Sequence, residues 1–536
     1  MTMKNVLTTV LTVIVFFPLL SFGQQRWEKV ISNESFASIQ NAISYDRGEL
    51  ISAIYGGNYS HKTIIYKLDI NGDMLWQKHL FYDNWVSLNG IKQNEYGDMM
   101  IYGENADKAC LVYLNACGNM VWCRKFVDPY NYYETYFSDA IFTSDGNIVA
   151  ITGVVSGNSD YDIGLISFDT NGNFLWFHPF NLLQKYPLLS LIYEFSLSEF
   201  DGFIVMSGFG YYAHPDNPNL GYLKPMFVKT DTNFYEEWLL PYGITDNSAT
   251  DTILGTTPGV VSYKNGILHG WGDRTHKIYG YVNSTLMNFD TAGNETSYYI
   301  LENNSIDSTV TDNFFIDIAI RDDTTYFASV KYGNQGAGEN PVGELIIDTM
   351  CNVFSHQSHP EATMSSGMFP MAKDTVSNQY YLSYNSNDNN WNIMLYKFNA
   401  DLSDAGADTT TYNYDSLCDN LPIVSDTIYV GNCDVITGVP EFPSPEAYKE
   451  AKQKVEITAF PNPAAGMVNF KLKNTRFQSN MELSVYNISG KLLMRQNIAT
   501  GQKEAGFNIG GLPSGIYVAV VSNRQKVLGK AVFSVR

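Results

Sequence analysis

Cysteine is scarce in this chain, six in 536 residues, too sparse for a fold held mainly by disulfides. No long tract carries charge of one sign, and 45% of the residues are hydrophobic, with 37 Tyr and 31 Phe. That composition excludes a disordered chain and favours strands. None of the eight His lies in an HExxH pattern and no Gly-x-Ser-x-Gly elbow occurs, so zincin and α/β-hydrolase chemistry have no starting point. His356 and His359 stand three apart near Cys351, a spacing that puts the two imidazoles on opposite faces of a strand. Neither a metal nor a cofactor is expected.

The chain is longer than the roughly 250 to 300 residues that one core serves, so two or more domains are expected. One segment alone resembles a membrane span, the apolar run Val6–Leu20 behind Lys4. It is short for the ~20 residues of a spanning helix and Pro18 interrupts it. With Ser21 and Gly23 following, residues 1–23 read as a secretory signal peptide cut before Gln24, and a retained anchor is the alternative. No Cys follows the cut, so a lipid anchor is not expected there. Residues 451–536 carry 12 Lys and Arg against 3 Glu, which leaves 22 against 52 for the rest of the chain. A body this acidic repels phosphate backbones and excludes nucleic acid as a partner; the basic tail is a separate module.

What is present is a repeat. Ile65-Tyr66-Lys67-Leu68-Asp69-Ile70-Asn71-Gly72-Asp73-Met74-Leu75-Trp76 has counterparts around Asn115, Asp169 and Asp231, and in each a Trp falls seven residues after the anchor, at Trp76, Trp122, Trp176 and Trp238. Weaker copies at Asp290, Asp348 and Asn399 keep the anchor without the Trp. An apolar strand, an Asn-Gly-like pair and a second apolar strand make a tight hairpin. Another strand pair precedes it, as in Asp139–Thr143 and Ile148–Gly153 around Asp145-Gly146. Four short strands per unit, seven times over, predict a seven-bladed β-propeller over residues 24–433. An open array or a ring of six or eight blades is the alternative. Arg26-Trp27-Glu28-Lys29-Val30 reads as an outer hairpin strand lacking its partner, and the unit at Asn399 lacks a good strand after its anchor. The N-terminus is therefore expected to complete the last unit and cover an edge.

Cys418 and Cys433 close a 16-residue segment and are expected to pair, a staple of about 3 kcal/mol. Cys110, Cys117 and Cys123 crowd one hairpin and Cys351 stands alone, with no state readable. A linker, 434–454, follows, with Pro440, Pro443 and Pro445 barring a continuous strand or helix. From residue 455 to 536 seven short strands are predicted, a small β-sandwich. Three segments there stand out: Phe460-Pro461-Asn462-Pro463-Ala464; Leu483-Ser484-Val485-Tyr486-Asn487-Ile488-Ser489-Gly490-Lys491; and Leu512-Pro513-Ser514-Gly515-Ile516-Tyr517. In order and at the tail, they resemble the signature segments of the type A C-terminal sorting domain of the type IX secretion system. The resemblance implies a Bacteroidetes source, an all-β chain taken through the periplasm and the outer-membrane translocon to the cell surface or medium, and removal of the domain. Release, or attachment to surface lipopolysaccharide, would follow.

Other chemistry is thin. Asp69-Ile70-Asn71-Gly72-Asp73 offers oxygens at alternating positions, but an EF-hand loop needs Gly where Met74 stands and Glu where Leu80 stands. Tyr130, Tyr132, Tyr133 and Tyr136, and Tyr211, Tyr212 and His214, fall in longer connections where exposed rings could stack on sugars, or simply pack between units. The function expected is non-catalytic binding or scaffolding of a glycan or protein. The alternative is a polysaccharide-degrading enzyme with an acidic pair near the propeller axis.

Overall fold

The computed structural model describes residues 28–436 and 455–536, except for internal segments of one to nine residues. The signal segment 1–23 and most of the linker, 437–454, lie outside the described residues. The first of two compact units holds the chain up to Pro440 except Thr143–Asn147 and Thr230–Tyr235, and Glu441 opens the main part of the second. Apart from one helical turn, Asn303–Ile306, every element among the described residues is a strand.

In the first unit seven sheets follow one another along the chain, their strands antiparallel neighbours in sequence order. The first sheet is Phe36–Ile43, Glu49–Gly57, Ser60–Leu68 and Met74–Phe81, and the second Val86–Gln93, Met99–Asn105, Ala109–Leu114 and Met120–Phe126. The third is Thr135–Phe142, Ile148–Val154, Ile163–Phe168 and Phe174–Phe180; the fourth runs from Leu189–Phe200 to Glu236–Pro241. The fifth runs from Gly259–Lys264 to Glu295–Ile300 and the sixth from Val310–Ile320 to Val353–Thr363. The seventh has Met371–Asp374, Gln379–Asn385 and Ile393–Asn399, and its fourth strand is Glu28–Ser32, which pairs antiparallel with Ile393–Asn399. That is the pairing expected from the unpartnered Trp27-Glu28-Lys29 segment.

Two third strands are buried along their whole length, Ala109–Leu114 and Ile163–Phe168. A strand buried on both faces belongs to a sheet covered on both faces. One apolar cluster joins the first and second sheets through Leu50, Ile65, Ile101 and Val112, another the second and third through Tyr113, Trp122, Phe137 and Ile166. Phe227 packs on Phe289 between the fourth and fifth sheets, 5.0 Å between ring centroids, and Trp271 on Phe315 between the fifth and sixth at 6.3 Å. The seventh sheet touches both the sixth and the first: Tyr380, Leu395 and Phe398 share a cluster with Phe327 and Val342 on one side and Ile39, Ile51 and Tyr66 on the other. The Tyr381 hydroxyl and the Lys397 ammonium both donate to the Ile70 carbonyl of the first sheet, at 3.2 and 2.9 Å.

Beyond Asn399 the chain forms a strap, residues 404–436. It starts on the seventh sheet, where the Ala405 N–H donates to the Lys397 carbonyl. It then crosses the Asp69 turn: Asn71 and Asp408 exchange two hydrogen bonds of 2.8 Å, side chain to backbone. The buried ion pair Lys67–Asp46 is completed by the Tyr414 carbonyl, 3.0 Å from the same ammonium. Asp426–Tyr429 then adds to the outer edge of the first sheet and Asp434–Ile436 to that of the second, both parallel.

The strap corrects the disulfide expectation. Cys418 bonds to Cys117 and Cys433 to Cys123, with Cα–Cα distances of 4.9 and 4.8 Å, and Cys110 and Cys351 are buried thiols. Cys418 and Cys433 do not pair because the segment between them includes the extended strand Asp426–Tyr429, laid along the first sheet. Nearness in sequence had suggested a local staple; the real bonds close spans of 301 and 310 residues.

In the second unit the strands run Leu492–Ile498, Met481–Asn487, Gly515–Ser522, Val527–Val535, Glu456–Ala465, Met467–Lys473 and Glu504–Asn508 across one path of seven. Burial alternates along Gly515–Ser522, as in a strand with one covered face. Phe470 lies edge-on to Phe533 at 5.4 Å, and Val468, Leu483, Val485, Ala519 and Val521 fill the same core.

Candidate functional site

The seven repeat anchors open one and the same turn. At Asp69 the backbone N–H bonds to the Asp73 carbonyl, and the Gly72 N–H bonds back to the Asp69 carbonyl. The carboxylate accepts from the N–H groups of Asn71 and Asp73, both at 2.8 Å. Asn115, Asp169, Asp231, Asp290 and Asp348 repeat all four bonds; Asn399 repeats the two backbone bonds while Asp401 caps Ser403 in its place. In every copy the third residue after the anchor has positive φ: Gly72, Gly118, Gly172, Phe234, Gly293, Cys351 and Leu402. The turn is thus not the two-residue type expected but a longer one, closed by a bulge such as that between Lys67 and Leu68.

Two of the four repeat Trp serve the neighbouring sheet. The Trp122 indole N–H donates to the Thr170 carbonyl at 3.0 Å, and a methyl group at Gly172 would lie 2.7 Å from its ring. Trp238 makes the equivalent bond to Thr291 at 3.1 Å, over Gly293. Trp76 turns to the strap instead, donating to Asp415 at 3.3 Å, and Trp176 is buried. Trp122 and Trp238 thus form an inter-sheet joint.

Hydrogen bonds hold several of these carboxyls below their ordinary range: Asn294 acts on Asp290, Ser403 on Asp401, Thr410 on Asp408 and, furthest, Thr325 on Asp322. A carboxyl whose folded pKa lies below its unfolded value of about 4 stabilises the fold above that pH, and the contribution vanishes as pH falls through the folded value. The melting temperature should therefore fall between about pH 5 and pH 2. Asp290→Asn should leave the protein folded at neutral pH, since Asn115 makes the same bonds, and should flatten that acid limb; an unchanged pH dependence would show that the turn is not a proton-linked element.

Asp139 is a buried carboxylate that ties two sheets together. It accepts from the N–H of Ala140 and, across to the fourth sheet, from that of Leu197, both at 2.8 Å. Burial, and then this carboxylate, push the Tyr102 hydroxyl of the second sheet well above its usual pKa. No group of three or more His, Cys, Asp or Glu that could hold a metal occurs among the described residues. Tyr130, Tyr132 and Tyr133 lie outside the described residues, as do the side chains of Tyr211, Tyr212 and His214. Tyr136 opposes Gly153 in the third sheet.

The second unit assembles its three signature segments at one end of a sheet. Asn487 opposes Tyr517, and Tyr517 opposes Phe533. The neighbouring Ser534 donates its N–H and hydroxyl to Asn462, at 3.0 and 3.1 Å. Pro461 and Pro463 flank that Asn, both after cis peptide bonds and both exposed. The Tyr517 hydroxyl donates to the Pro513 carbonyl at 2.6 Å, closing the turn that leads into Gly515. Asn487 caps Ser489 and Lys491 while Gly490 takes positive φ, so the segment reproduces the turn of the first unit. The shared Asp/Asn-x-x-Gly pattern was its sequence signal, and Asn487 its overlooked residue. Tyr486, Val518 and Val532 stand directly opposite one another across three strands, with Val532 60% and Ile516 57% exposed. The result is an uncharged apolar row on a basic module.

Comparison with known proteins agrees for this part of the chain. The family model described as the secretion system C-terminal sorting domain matches residues 458–533. No curated protein matches the chain. Among solved structures, the polysaccharide lyase Uly1 is similar at 10% identity and a TM-score of 0.40, over 70% of this chain and 99% of that one. An endo-arabinase from Bacteroides thetaiotaomicron is similar at 12% identity and a TM-score of 0.32, over 48% and 91%. A protein of unknown function from Bacteroides caccae is similar at 10% identity and 0.28, over 49% and 80%. Likenesses this distant decide nothing about activity. Residues 458–533 are a type IX secretion C-terminal sorting domain, and the chain that carries it is exported to the cell surface or beyond.

Proposed function

We propose that the first unit is a closed seven-bladed β-propeller and that the exported chain serves as a non-catalytic binding or scaffold module for a glycan or a protein. Support for the closed form comes from seven consecutive sheets, from Glu28–Ser32 completing the last of them, and from that sheet's contacts with the first. In this reading the sorting domain is a small sandwich that engages the translocon and is then removed. The propeller is left free or joined to surface lipopolysaccharide.

The observation that carries the non-catalytic reading is how the acids are used. The anchor carboxylates cap backbone N–H groups, and Asp139 gives both its oxygens to such groups. Asp317, likewise placed at a bulge in the first strand of a sheet, caps Ile318 at 2.8 Å. A glycosidase needs a carboxyl pair with oxygens turned to substrate. Glycan arrays probed with the exported chain, run beside reducing-end assays on complex polysaccharides, test this. Binding without release of reducing ends is expected; release that disappears in Asp139→Asn or Asp317→Asn would establish the enzymatic alternative.

A further inference from the structure

We propose that residues 404–436 are a disulfide-locked clasp over the seventh, first and second sheets, which opens as a unit when its two bonds are reduced. Its last part contains an eight-residue repeat, Ser425-Asp426-Thr427-Ile428 and Cys433-Asp434-Val435-Ile436. Each copy adds a parallel strand to one sheet in the same register. Asp426 opposes Lys78 and bonds its ammonium at 2.7 Å; Asp434 opposes Arg124 and bonds its guanidinium at 2.7 Å. Lys78 and Arg124 both stand nine residues after their anchors, Asp69 and Asn115. Ser425 accepts from the Gln77 N–H at 3.1 Å at the position where, one sheet on, Cys433 bonds to Cys123. The two copies are therefore the same docking step taken twice, on consecutive sheets.

The next sheets refuse a third step. The N–H of Gln77 bonds to Ser425 and that of Val127 to Ile436, and alternation along a strand turns the N–H of His79 and of Lys125 to the same side. Those residues stand ten after their anchors. The same position in the third and fourth sheets is Pro179 and Pro241, which have no N–H to offer, as at strand edges kept clear of further pairing. The clasp has a defined end.

Its hold is mostly covalent and polar. Between Gly406 and Val435 the buried residues are few, Cys418, Ile428, Val430 and Cys433 among them, and most of the others face solvent. A segment with so little apolar burial does not offset its own ordering entropy, so it belongs to the part of a fold that opens locally. Each bond forms when two thiols pass two electrons and two protons to a disulfide donor, protein or small molecule. A dithiol such as dithiothreitol reverses the step and leaves as its own cyclic disulfide. Cys117 is partly exposed while Cys123 is buried, so Cys117–Cys418 is the first to open.

Hydrogen exchange followed by mass spectrometry on the folded full chain, before and after dithiothreitol, tests the clasp without requiring any variant to fold. We expect the amides of residues 426–436 to exchange at least about tenfold faster once both bonds are open. Amides of the third and sixth sheets, such as those of Ile148–Val154 and Thr325–Val330, should be unchanged. Cys117→Ser with Cys418→Ser should give a smaller rise than Cys123→Ser with Cys433→Ser. Protection of 426–436 that survives full reduction would overturn the proposal. So would a rise shared equally by every sheet, which would make the bonds general stabilisers of the unit.

Discussion

Deletion of residues 441–536 should leave the chain in the periplasm, with the surface and culture-medium fractions falling to background while periplasmic protein accumulates in folded form. The argument is one of separable parts. The sorting domain has its own core, from Val468 and Phe470 to Leu483 and Phe533. The first unit completes its seven sheets and its strap by Ile436. Its removal therefore takes away an address and leaves the cargo's packing intact. A narrower change makes the same point: Asn462→Ala removes the acceptor of both Ser534 bonds at the end of the sheet where the three signature segments meet. Fractionation followed by immunoblotting reads both. Continued appearance of the truncated chain outside the cell would mean that another segment carries the export signal.

Trp122→Ala should destabilise the first unit by about 3 to 5 kcal/mol, the range for removal of a large buried aromatic. The indole is 6% exposed, stacks on Tyr113 at 5.1 Å, and covers the left-handed Gly172 of the next sheet. Its loss opens a cavity at the joint and strands the Thr170 carbonyl. Trp238→Ala removes the equivalent bond at a more open site and should cost less, which makes the pair an internal control. Urea denaturation followed by far-ultraviolet circular dichroism would measure both. Equal small effects, below about 1 kcal/mol as for exposed positions, would show that the sheets are held together by their apolar faces alone.

Much of this was written locally. An Asp or Asn followed three residues later by Gly states the turn by itself, because the left-handed position favours glycine and the short polar side chain reaches two N–H groups. Where Phe234, Cys351 or Leu402 takes that position, the statement fades, while the copy at Asp290 keeps Gly293 and, like those at Asp348 and Asn399, lacks the Trp. The sorting segments were legible because each fixes a backbone feature: two prolines around Asn462, Gly490 in a turn, Pro513 under the Tyr517 hydroxyl. The strap was not. Residues 404–436 have no apolar period, and their partners lie some 300 residues earlier, at Cys117 and Cys123. Sequence distance favours the short loop between Cys418 and Cys433, whereas a strand already bound to the first sheet forbids it. Asp139 was hidden in the same way, since its importance comes from Leu197 and Tyr102, which only folding brings near.

The place of Glu28–Ser32 has a consequence for a polypeptide that must cross membranes. The earliest described strand belongs beside residues 393–399, so it stays unmatched until that later stretch has been made. Such long-range pairing is slow to form. The seventh sheet can therefore be completed only once both of these segments stand on the same side of a membrane.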